Sequence, residues 1–173
     1  MDLEFDVVAL DPADPPAVGE TAPDFTRPLV NTEYWEDHSL AALTPPVVLV
    51  FHPMAGSFPA TYIWQELAER SLSGTVVGLT ISTPYDLSRF IETHDRADTG
   101  VRLFSDPTNE IAETYGVAHD LDGMAGVSEP RPAVFVLGEG RTVEYCWAAE
   151  EWPEFPPYDA IEAAVADFNA SAE

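Results

Sequence analysis

The sequence predicts a single α/β domain, a central sheet flanked by helices, and three stretches carry that prediction. An unbroken apolar run, Val47 to Phe51, empties into a Pro/Gly-containing loop and then a helix. A second β-branched, uncharged run, Thr75 to Ser82, follows Gly74 and leads into another helix behind Pro84 and Asp86. Near the end, Arg131 to Leu137 and Thr142 to Trp147 flank a Gly138 to Gly140 turn as a hairpin. Strand, helix, strand, helix implies a parallel sheet.

The first helix starts at Ser57. Serine is a good N-cap, and Pro59 falls in the first turn, where its missing N–H costs nothing. Ile63, Trp64, Leu67 and Ala68 form its apolar face. Free backbone N–H groups at such a terminus make residues 57 to 60 a natural place for an anion. In the second helix Leu87, Phe90 and Ile91 face inward. Val101 to Phe104 reads as a third strand, and Ser105 to Val117 carries a short helix. Upstream, Leu3 to Leu10 reads as a short edge strand or an arm. Phe25 to Leu43 reads as short extended pieces anchored by Tyr34 and Trp35, ahead of the helix-breaking Pro45-Pro46 pair. His119 to Glu129 is a polar loop. After the bend from Trp152 to Pro157, Tyr158, Ile161, Val165 and Phe168 recur at helical spacing, and Ala170 to Glu173 reads as a frayed tail.

Composition narrows the function. A chain of 173 residues, 46% apolar, has enough material for one core without disulfides. Its 31 acidic residues face 7 basic ones, all arginine, for a formal charge of −24. Such a surface repels nucleic acid and anionic lipid. It suits concentrated salt, where a Debye length of about 3 Å screens self-repulsion, so a halophile's protein is expected. No signal peptide is evident and no apolar run approaches the ~20 residues of a membrane span, which points to the cytoplasm. No Cys/His spacing suggests a metal or cofactor. The one cysteine, Cys146, excludes an internal disulfide, and its place on a hairpin strand favours packing as a small hydrophobe. His52, at the end of the first run, is either a donor to a ligand or buried structure.

Four motifs in order carry a family resemblance. Val18-Gly19-Glu20-Thr21-Ala22-Pro23-Asp24-Phe25 resembles the opening of a peroxiredoxin domain. Pro53-x-x-x-Ser57-x-x-Ala60 resembles that family's active-site motif, Pro-x-x-x-Thr/Ser-x-x-Cys. Ser105-Asp106 with Tyr115-Gly116-Val117 resembles its strand-end and helix-end signature, and Arg131 stands just before the hairpin strand, where the family has an arginine. The resemblance spans roughly Val18 to Phe168 and is nearest to lone-thiol relatives of alkyl hydroperoxide reductase. It implies a thioredoxin-like (peroxiredoxin) fold with a mixed sheet, a domain over 18–169 behind an arm at 1–17, and a tail at 170–173. It further implies thiol peroxidase activity, a thiol reductant or other protein partner, and a homodimer.

One position departs from the pattern. Where the family carries its peroxide-reducing cysteine, this chain has Ala60. A thiolate of lowered pKa is the nucleophile such chemistry needs, and alanine supplies none. Pro53 to shield the pocket, Ser57 to bond a peroxide oxygen and Arg131 to stabilise developing charge are the retained positions the resemblance implies. Three expectations follow: a non-peroxidatic member holding a small anion or a partner, a peroxidase whose nucleophile at position 60 has been replaced by alanine, or one that uses Cys146. Ser57 is also a plain helix cap, and Arg131 a plain partner for a carboxylate, on the bland readings.

Overall fold

The computed structural model describes residues 7–94, 100–119 and 125–172. A seven-stranded mixed sheet forms its centre. The chain enters through a two-residue strand, β1 (Val8–Ala9), then a hairpin of β2 (Thr26–Val30) and β3 (Trp35–Ser39). The strand β4 (Val47–Phe51) leads through the 52–57 loop to α1 (Phe58–Ala68). Next come β5 (Thr75–Thr80), α2 (Pro84–His94), β6 (Arg102–Ser105) and α3 (Glu110–Thr114). The short pair β7 (Ala118–His119) and β8 (Glu129–Pro130) precedes β9 (Ala133–Leu137) and β10 (Val143–Ala148), and β11 (Glu151–Trp152) precedes α4 (Tyr158–Ser171).

Sheet order is β10-β9-β4-β5-β6-β2-β3. The expected α/β architecture with a mixed sheet is therefore present. The pairs β4–β5 and β5–β6 are parallel, as the strand–helix alternation requires, and β9 joins β4 antiparallel. β4 sits at the middle of the sheet and all five of its residues are buried. Its Val48 and Val50 pack with α1, α2 and α4, whereas Leu49 and Phe51 pack against Phe25, Tyr115 and Phe135. A strand buried on both faces cannot alternate, which is why it reads as a continuous apolar run.

Several sequence expectations change. Tyr34 and Trp35 are 55% and 38% exposed and do not anchor the core; Trp35 instead meets the Tyr85 ring edge-on. Leu29, Leu40 and Leu43 fill that role from the same stretch. Ala68 lies on the solvent side of α1, and Ala60, one turn before Ile63 and Trp64, belongs to the buried face. Helix α4 continues through Ser171, two residues into the stretch read as a tail, with Ala172 N–H bonded to the Phe168 carbonyl. Residues 1–6 of the expected first strand and 120–124 of the expected loop lie outside the described residues. What is described of that strand pairs with β11, not with the edge of the main sheet.

The arm lies on its own domain. Asp14 N–H donates to the Gly116 carbonyl at 3.0 Å and Leu10 N–H to Glu150 at 2.9 Å. Gly116 permits this approach: its φ is +70°, and a Cβ there would stand 2.1 Å from the Asp14 oxygen. Gly140 has a similar φ of +63° with nothing within 4 Å. Gly116→Ala is therefore expected to cost roughly 1–3 kcal/mol more than Gly140→Ala in chemical denaturation. Equal losses would mean that the arm does not lean on this point.

Candidate functional site at the junction of β4 and α1

The loop after β4 is the place the motif marks, and its backbone is held from several sides. Ser57 is the N-cap of α1, extended at φ −69° and ψ 152°, with its Oγ accepting from Ala60 N–H at a long 3.5 Å. Its carbonyl accepts from both the N–H and the hydroxyl of Thr61. Met54 N–H donates to the Glu129 carboxylate at 2.8 Å, and Ala55 N–H to Ser82 Oγ at 2.8 Å. Pro59 has no N–H to offer. The amides of Met54, Ala55, Ser57 and Ala60 are thus met by oxygens of the chain itself. Pro53 is buried and Ala60 is 0% exposed.

His52 is fully buried beneath the loop. Its Nδ1 is 2.7 Å from the Pro53 carbonyl and must donate to it. Nε2 then accepts from Trp64 Nε1–H at 3.1 Å, so the ring is the neutral Nδ1–H tautomer. Gly78 makes room for this pair, since a Cβ there would meet Trp64 Cζ2 at 2.6 Å and His52 Nε2 at 3.1 Å. Burial lowers the histidine pKa to about 4, the bond to Pro53 opposing the shift. His52 is a structural brace with no free nitrogen for a ligand.

Arg131 reaches the same end of the sheet but turns elsewhere. The β4–β9 register pairs Phe51 with Ala133, which brings residue 131 beside the loop. It is only 2% exposed, and its Nη1 donates to the carbonyls of Asp11 at 2.8 Å and Ala149 at 3.2 Å. Its Nε is buried with no partner. Desolvation pulls its pKa down and the Asp11 charge partly restores it. None of its hydrogen bonds goes to Ser57 or residue 60. Cys146 lies opposite Phe135 on β10 and packs with the Phe51 and Tyr115 side of the sheet, whereas Ala60 packs on the other side. Burial raises its thiol pKa, which disfavours a thiolate.

Glu129 and Ser82, the two side chains that hold the loop, escaped the sequence reading. Each stands at the end of an element, Glu129 just ahead of Arg131 and Ser82 just past β5. A polar residue ending an apolar run is the signal that marks Ser82, whereas no local pattern marks Glu129. Ser105, in the strand-end motif, donates to the Ser82 carbonyl at 2.7 Å, and buried Asp106 accepts from Ile111 N–H and from Arg27. That motif therefore fixes the turn into α3. The cavities of about 580 and 610 Å³, under the end of α1 and between α4 and β10, do not touch residues 53–60. Among the described residues, no group of three or more His, Cys, Asp or Glu is placed to hold a metal, and no helix is long and apolar enough to cross a membrane.

Fold and loop together define a thioredoxin-like domain with its characteristic strand–loop–helix site. A model of the AhpC/TSA family matches residues 18–146, and the chain belongs to that family. The reduced 2-Cys peroxiredoxin of Plasmodium vivax superposes with a TM-score of 0.73 at 19% identity, covering 90% of this chain and 83% of that one. Peroxiredoxin 6 of Arenicola marina gives 0.76 at 17%, covering 91% and 75%. Peroxidoxin BcpB of Mycobacterium tuberculosis gives 0.64 at 25%, covering 88% and 96%. No curated protein sequence matches the chain.

The His52–Trp64 contact makes a pH prediction. The folded pKa lies below the ordinary 6.5, so the unfolded chain binds the extra proton first, and stability falls as pH drops from 6.5 toward 4. Each pH unit in that window removes up to about 1.4 kcal/mol. Denaturation of the protein and of His52→Gln in molar KCl between pH 6.5 and 5 should give a steeper slope for the former. Parallel slopes would contradict the assignment.

Proposed function

We propose that the protein is a peroxiredoxin-family member without peroxidase turnover, acting by binding or association through a site kept as a structural frame. The observation that carries this reading is Ala60, a residue with no nucleophile and 0% exposure at the position where the motif resemblance puts the family's cysteine. Two further findings support it. The one thiol packs on the opposite side of the sheet, and the Met54 and Ala55 amides already have acceptors within the chain. The homodimer and a protein partner suggested by the family remain part of the proposal; the small-anion or peroxide ligand does not, because the amides of residues 54, 55 and 60 already have acceptors within the chain.

A second reading draws on the intact frame. Ser57 still caps α1 and Pro53 is still buried, which favours a site that has lost only its nucleophile, so that restoring the thiol restores the chemistry. Peroxide consumption with dithiothreitol in molar KCl separates the two. The protein itself is expected to show no turnover above buffer. If Ala60→Cys consumes peroxide, the frame is competent; if it does not, the site has moved fully to binding. Turnover by the unmodified protein, abolished in Cys146→Ser, would overturn the proposal.

A further inference from the structure

Beside the middle and C-terminal end of α1, three aromatic side chains and two carboxylates line one open cavity of about 510 Å³: Tyr62, Phe155, Tyr158, Glu66 and Glu69. Tyr62 and Phe155 meet edge to face, nearly perpendicular at 86°, with ring centroids 6.1 Å apart. Tyr62 is 57% and Phe155 39% exposed, an unusual outlay of apolar surface on so acidic a protein. Phe58 extends the wall, 6.4 Å from Tyr62 and 6.5 Å from Phe155. The third ring, Tyr158, already carries the Arg70 guanidinium 5.4 Å from its centroid.

Charge identifies what the remaining surface suits. Arg70 is paired with Glu66, Asp159 and Glu162, and Glu69 adds a fourth carboxylate, leaving a local excess of negative charge after the guanidinium is counted. Aromatic faces attract cations through their quadrupole, most strongly cations whose alkyl groups are cheap to dehydrate. The volume falls within the range of about 300–1,000 Å³ usual for small-molecule sites. A second copy of the chain is a poor occupant. A two-fold contact here would set these carboxylates against their own counterparts.

We propose that this cavity binds a small quaternary ammonium compound, its alkylated nitrogen seated against the exposed surfaces of the Tyr62 and Phe155 rings and its charge met by Glu66 and Glu69. The site is separate from the 53–60 loop and independent of whether that loop supports turnover. Contact-range attraction survives concentrated salt, because a Debye length of about 3 Å at 1 M screens only what lies beyond the cavity wall.

The test is a titration of the full chain in molar KCl with choline and with its neutral isostere, 3,3-dimethylbutan-1-ol, followed by aromatic ¹³C chemical shifts. Choline should shift the Tyr62, Phe155 and Tyr158 resonances with at least about tenfold higher affinity than the alcohol. Tyr62→Ala or Phe155→Leu should each weaken it about three- to tenfold, and Glu69→Gln should weaken it while leaving the alcohol unchanged. These residues are at the surface, so the variants should fold, as unchanged core-methyl spectra would verify. Equal affinity for the two compounds, shifts confined to other residues, or insensitivity to all three substitutions would overturn the proposal. So would ring shifts that follow protein concentration, which would mark the patch as covered by a second copy.

Discussion

The joint between β4 and α1 depends on the backbone amides of residues 54, 55 and 60 finding acceptors inside the chain. A strand buried on both faces delivers the loop into a part-buried site, where an amide left without an acceptor and shielded from water would cost about 1–3 kcal/mol. Glu129, Ser82 and Ser57 meet them, each from a different segment. The first two bonds tie the loop ahead of α1 to the ends of β8 and β5, and the third caps the helix from within. An entrance satisfied in this way is braced whether or not anything binds there. Where a thiolate would draw on the amides and positive end of the helix, alanine makes no demand.

The buried polar groups nearby follow the same logic. His52 stays neutral because burial disfavours the imidazolium, its nitrogens are fixed as donor to Pro53 and acceptor from Trp64, and Gly78 supplies the space. Arg131 carries charge where few carboxylates reach, and its contacts are carbonyls of the arm and of residue 149. The arm, seated on Gly116, is thereby coupled to the end of β9. Arg27 and Arg70 pair instead with carboxylates, Asp106 and Glu110 for the first and Glu66, Asp159 and Glu162 for the second, so with 31 acidic residues most of the acidic surface is left to the solvent's cations.

Much of this fold could be read from local pattern. The run Val47 to Phe51 and the cap at Ser57 are signals within a few residues of each other, and helix and strand follow from them directly. The order of four motifs placed the family, which the match over residues 18–146 shows. What escaped is what the fold brings from afar. Met54 and Glu129 are 75 positions apart, Ala55 and Ser82 are 27, and Arg131 and Asp11 are 120, separations over which sequence pattern carries no pairing information. Tyr34 and Trp35 misled because large aromatic residues usually serve a core. Here the β2–β3 hairpin ends the sheet, and an edge strand leaves one side of its residues to solvent.

Amide hydrogen exchange at Met54, Ala55 and Ala60 tests the central claim most directly. If the chain's own oxygens hold this entrance, these amides exchange as slowly as those of β4 in molar KCl, and added phosphate changes nothing. Fast exchange that slows on adding phosphate would show instead an open anion site, with the acceptors assigned here displaced by a ligand.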